Sequence, residues 1–131
     1  MFFANNIYEV IYIKSKYFNN RLILFWKIGK KVFEEQNKVD NPVDKYSKYF
    51  QYKFGMTECF SRENINFMKK LYLYFPIFNS NLLKLEWGHY LILLRISNNI
   101  QRMFYYELTL FSCGTVFELS SLIDNCLYER I

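Results

Sequence analysis

Arg62, Asn66 and Lys69 follow one another at intervals of four and three residues, the spacing that stacks side chains on one face of an α-helix. At 100° per residue from Arg62, Asn66 falls at about 40°, Lys69 at about 340°, Lys70 at about 80° and the apolar Leu73 at about 20°. Ile65, Phe67, Met68, Leu71, Tyr72 and Phe75 occupy the opposite arc, so the same helix offers a core face and a basic face. Arginine and asparagine are shaped for bidentate contacts to guanine and adenine edges, and lysines hold phosphates without reading sequence. The segment before this helix adds Lys45, Lys48 and Lys53. The chemistry these residues could do is recognition of a polyanion, with Arg62 and Asn66 facing bases and Lys69, Lys70 and Lys48 facing phosphates. The plainer reading is a solvated face on a lysine-rich surface.

Candidates for bond-making chemistry are scarcer. His89 is the sole histidine, so any Ser-His-Asp or Cys-His arrangement would need it as the base. It lies between Trp87 and Tyr90 in an apolar segment, where a packed, hydrogen-bonded histidine is expected. No GxxxxGK(S/T) or GxGxxG loop is present, which removes the usual phosphate cradles. A nuclease of the PD-(D/E)xK type needs an acidic residue two positions before a lysine, and none of the lysines has one. Cys59, Cys113 and Cys126 show neither CxxC nor CxxH spacing, so no zinc site or disulfide framework is expected and the thiols read as buried in a reducing cytosol. No cofactor is implied.

The elements that must position these residues read as helices. A chain of 131 residues suits one compact domain. With 4 Gly and 2 Pro it is short of the turn formers that a sandwich or barrel requires. The expected architecture is all-α, a single domain of about six helices. A long first helical region runs to residue 36, kinked near Asn19 and Asn20, with a core stripe of Leu22, Phe25, Trp26, Gly29 and Phe33. A second helix runs from Pro42 to Phe54, closed by Gly55. Ser61 caps a third from Arg62 to Tyr74, with Glu63 in its first turn and Pro76 beyond its end. A shorter helix starts between Leu82 and Gly88 and ends near Arg95. Asn98 or Asn99 caps a fifth, whose Ile100, Met103, Phe104, Leu108 and Phe111 are expected to face the core. Thr115 and Glu118 form a capping box for the last, with Val116, Leu119, Leu122, Ile123, Cys126 and Leu127 as its buried stripe. The second and third helices form a helix-turn-helix-like pair.

Charge agrees with that placement. The formal net charge is +5, and residues 45–70 carry six basic against two acidic groups, whereas residues 71–131 carry four against five. Aromatic residues make up 21% of the chain, but Asn, Ile and Lys are also abundant and share A- and T-rich codons, so genome composition explains the excess without a base-stacking surface. The N-terminus lacks the basic region and cleavage site of a signal peptide, and no apolar run approaches the roughly 20 residues a membrane crossing needs. A cytoplasmic protein that meets no membrane is expected.

At several places the chain resembles the N-terminal helical domain of the YhcG family, bacterial proteins in which this domain precedes a PD-(D/E)xK nuclease domain. The resemblance is carried by Phe25-Trp26-Lys27-Ile28-Gly29, by Phe54-Gly55, Phe60-Ser61, Asn64-Ile65 and Met68-Lys69, and by Leu85-Glu86-Trp87-Gly88-His89. Arg102-Met103-Phe104-Tyr105 and Leu127-Tyr128-Glu129-Arg130 continue it to the C-terminal end. Gly114-Thr115-Val116-Phe117-Glu118-Leu119 departs from the family pattern by losing a tryptophan and an arginine, Gly88 stands for a serine, and Cys59 for a glycine. The resemblance implies a helix-turn-helix-like DNA-binding domain, itself non-catalytic, without the nuclease half that would follow Arg130. On that reading the chain either acts with a separately encoded PD-(D/E)xK nuclease subunit or is left over from one. The alternative is a protein–protein interaction or oligomerisation module, including a homo-oligomer, without DNA contact.

Overall fold

A computed structural model describes residues 21–55 and 58–131. The expected kink near Asn19 and Asn20, with the start of the first helical region, lies outside them. Among the described residues the protein is all-α, seven α-helices and two short 3-10 turns without a strand. The described residues divide into two compact units, the first ending at Phe78 and the second running from Asn79 to Ile131.

In the first unit, α1 (Leu22–Glu35) packs along α3 (Arg62–Tyr74). Leu22, Leu24, Phe25, Trp26, Ile28 and Val32 are buried on α1, and Ile65, Met68 and Leu71 on α3. This is the expected stripe, broadened by Leu24, Ile28 and Val32. The two backbones meet at Gly29, where an added Cβ would lie 1.9 Å from the carbonyl oxygen of Met68. Only a residue without a side chain allows that approach. Trp26 fixes the far end of α3, its Nε1–H donating to the carbonyl of Phe75 at 2.8 Å.

Helix α2 (Pro42–Phe54) begins with proline at its first position, where the missing N–H costs nothing, and ends at Gly55 with φ +105°. Seven residues, Gly55 to Ser61, join α2 to α3 and include the 3-10 turn Glu58–Phe60, longer than the tightest helix-turn-helix connection. The join is anchored by Phe60, which is buried against Phe50 and Phe54. The Phe60 carbonyl accepts from Ser47 Oγ at 2.6 Å and Gln51 Nε2 at 3.0 Å. Ser61 then caps α3 by accepting from the N–H of Asn64. The start of the basic helix is therefore held by α2 as well as by its own cap.

The second unit contains a 3-10 turn (Leu82–Lys84), α4 (Trp87–Leu93), α5 (Asn99–Ser112), α6 (Val116–Asp124) and α7 (Leu127–Arg130). Three expectations are corrected here. The last helix breaks at Cys126, whose φ of +55° cannot continue a helix, so α7 is separate. Cys113 and Cys126 are exposed and Cys59 half-buried, so the thiols are not core residues. The face of α5 turned to the core is not the apolar stripe but the opposite one, Arg102, Tyr105, Tyr106 and Thr109.

Polar satisfaction explains the inversion. The Arg102 guanidinium donates to the Ile96 carbonyl and to Asn99 Oδ1, Thr109 Oγ1 donates to the Tyr105 carbonyl, and the Tyr105 hydroxyl accepts from the N–H of Tyr128. Long side chains with apolar bodies and hydrogen-bonded polar ends can fill a core in place of aliphatic ones. Nearby, the Tyr90 hydroxyl donates to the Leu82 carbonyl, and burial pushes the Tyr90 phenol well up from its ordinary value and raises that of Tyr106. Ile100 and Phe111 remain 71% and 90% exposed.

The capping box at α6 forms as expected. The Glu118 N–H donates to Thr115 Oγ1 at 3.1 Å, and the Thr115 N–H donates to Glu118 Oε1 at 3.0 Å. The bond from the Thr115 backbone holds the Glu118 carboxyl below the ordinary carboxylate value. A depressed folded pKa stabilises above the unfolded value, about 4.3, and that stabilisation is lost as pH falls through the folded value. Comparing wild type with Glu118→Gln in urea should show an advantage for wild type at pH 7 that shrinks toward pH 3. An unchanged gap would mean that the carboxylate is not engaged.

Candidate nucleic-acid interface

The basic face is assembled from α2 and α3 in the first unit. Arg62 occupies the first position of α3, with its side chain 75% exposed, and Asn66 is exposed one turn on. Lys69 is half-buried one further turn along and shares with Arg62 a groove of about 410 Å³ that Asn41 and Asp44 also line. Lys48 lies on α2, exposed, and Lys53 is exposed in its last turn. Lys70 and Lys45 are half-buried, their ammonium groups lying 5.7 Å from the ring centroids of Phe67 and Tyr46. The fold thus brings Arg62, Lys69 and Lys48 to one groove and its rim.

Asp44, which sequence reasoning missed, organises this set. Its Oδ1 lies 3.4 Å from Arg62 Nη1 and its Oδ2 lies 3.3 Å from Lys48 Nζ. One carboxylate therefore draws together two cations from different helices. An ion pair this open to water is worth at most about 1 kcal/mol, so either cation can exchange it for a phosphate or a base edge at small cost. Its signal in the sequence was its place in the first turn of α2, which reads equally well as favourable to the helix dipole. Tyr52 was also missed. It is 89% exposed, and its spacing from Lys45 and Lys48 puts all three on one side of α2. An exposed aromatic between lysines is a platform on which an unpaired base could stack.

The DUF1016 N-terminal domain matches residues 12–130. The chain belongs to this family. It is the YhcG N-terminal family that the residues quoted above resemble. No curated protein and no solved structure matches the sequence. The DUF1016 match takes in both units, and in this member the Phe-Gly and Phe-Ser pairs, Phe54-Gly55 and Phe60-Ser61, are the ends of the join that anchors α3. Its Trp-x-Ile-Gly segment supplies Gly29 and Trp26, the two residues that seat α3 on α1.

His89 is 5% exposed with both ring nitrogens engaged. Nδ1 accepts from the N–H of Glu86 at 3.0 Å, which leaves Nε2–H to donate to the carbonyl of Gly114 at 2.9 Å. The imidazole pins the start of α4 to the turn before α6. His89→Ala should destabilise the protein by about 1–3 kcal/mol, because the Gly114 carbonyl and the Glu86 N–H lose their partners. A melt unchanged from wild type would free this histidine for another role. Among the described residues no cluster of His, Cys, Asp and Glu side chains could hold a metal ion, and no helix is long and apolar enough to cross a membrane.

Proposed function

We propose that this YhcG-family chain is a DNA-binding module, non-catalytic in itself, that works with a PD-(D/E)xK nuclease domain. The observation that carries the reading is the convergence of Arg62 and Lys69 on one open groove at the start of α3, with Lys48 paired to the Asp44 carboxylate that lines it. Arg62 and Asn66 face base edges, Lys69, Lys70 and Lys48 neutralise phosphates, and Lys45 and Lys53 extend the positive field along α2. Family membership adds support, since the resemblance that identified it implies the same activity. A titration of labelled duplex DNA at increasing salt tests the reading. Binding should weaken linearly in log–log form with a slope reporting several neutralised phosphates. Metal-dependent cleavage by the purified chain would overturn the non-catalytic half.

A further inference from the structure

Helix α5 carries its strongest apolar stripe on the side away from its core. Ile100 is 71% exposed, Met103 37% and Phe111 90%, while Phe104 and Leu108 on the same arc are half-buried. The opposite face already fills the interior of this unit through Arg102, Tyr105, Tyr106 and Thr109. Phe104 packs its ring against Tyr128 of α7, but Ile100, Met103 and Phe111 are surplus to the packing of residues 79–131, and large apolar side chains ordered along 14 residues of helix are a surface made for contact.

We infer that this face is where two copies of the chain pair, α5 lying antiparallel against α5 of the second copy. The spacing is self-complementary. Reversing the helix about the midpoint between Tyr105 and Tyr106 sets Ile100 opposite Phe111 and Met103 opposite Leu108. Glu107, the one charged residue on the arc, then meets Phe104 of the second copy rather than its own counterpart. Charge permits the encounter, because residues 79–131 carry four basic and five acidic groups and are nearly neutral, whereas residues 1–78 carry thirteen basic against seven. A surface close to neutral self-associates where a strongly charged one repels its copy, and it offers DNA no attraction. Counting about 200 Å² for a fully exposed large side chain, the stripe offers roughly 450 Å² per copy. The roughly 900 Å² hidden in total falls at the low end of specific interfaces, which describes a weak, reversible dimer. Pairing would present two basic units to one DNA molecule, although the dimer itself does not require DNA binding.

Sedimentation velocity of the full chain from 2 to 200 µM tests it. Wild type should pass from monomer toward dimer across this range, while Ile100→Glu and Phe111→Glu remain monomeric with an unchanged helical CD spectrum, since both positions are exposed. The double variant Ile100→Lys/Phe111→Glu sets opposite charges against each other in the antiparallel register and should regain association. A monomeric wild type, or a dimer that Phe111→Glu leaves intact, overturns the inference. A double variant no more associated than the single ones overturns the antiparallel pairing.

Discussion

Gly29→Ala should lower stability by about 3 kcal/mol or more, at the upper end for overpacking of a core. The added methyl would sit 1.9 Å from the Met68 carbonyl oxygen, which is backbone and cannot swing aside. Helices α1 and α3 must then separate, and the seat of Trp26 on the Phe75 carbonyl goes with them. For a unit of this size a loss of 3 kcal/mol is roughly 12–24 °C in Tm, read in a thermal melt followed by CD. Gly114→Ala is the natural control, because its new Cβ would have nothing closer than 3.4 Å. Equal melting temperatures for Gly29→Ala and wild type would mean that the helices do not approach as described. Because α1 supports the helix that carries Arg62 and Lys69, Gly29→Ala should also weaken any binding made there.

The second large effect separates the roles on the basic face. Replacing Lys48, Lys69 and Lys70 with Ala should lower the salt slope by about 0.9 for each phosphate no longer neutralised. Three such phosphates together amount to roughly a 40-fold smaller change in affinity between 50 and 200 mM salt. The weakening should fall equally on all DNA sequences. Arg62→Ala should instead cost roughly 1–3 kcal/mol on a preferred site and little on others. Anisotropy titrations on a preferred and a scrambled duplex distinguish the two patterns. A uniform weakening for Arg62→Ala would make this arginine a phosphate ligand, with Asp44 then acting only to hold charge near the groove.

What could be read from the sequence followed local physics. The bounds of α2 and α3 match the expected Pro42–Phe54 and Arg62–Tyr74 because their signals are strong and short-range: a proline at the first helical position, a glycine past the last, a serine cap. The core and basic faces of α3 also agree, apart from the exposed Leu73 on the basic side, since its buried residues are aliphatic or aromatic and its polar ones charged or amide. The same reasoning failed on α5 because periodicity counts arginine, tyrosine and threonine as polar, whereas hydrogen bonds to Ile96, Asn99 and Tyr128 let them fill a core. It failed again at Cys126, where a left-handed residue breaks a stripe that hydrophobicity alone would continue. At the candidate interface, Arg62, Asn66 and Lys69 could be placed on one face from spacing within a single helix. The Asp44 ion pair joins residues 18 positions apart on two helices, which no pattern along one element can reveal.

The most direct measurement is a gel shift comparing wild type with the Arg62/Lys69/Lys70 triple alanine variant on duplex DNA, at low and at moderate salt, with CD confirming that both are equally helical. Wild type should retard the duplex at low salt and release it as salt rises, and the triple variant should bind far more weakly with a flatter salt dependence. Indistinguishable affinities for the two proteins, or no retardation by wild type at low salt, would contradict DNA recognition by this face.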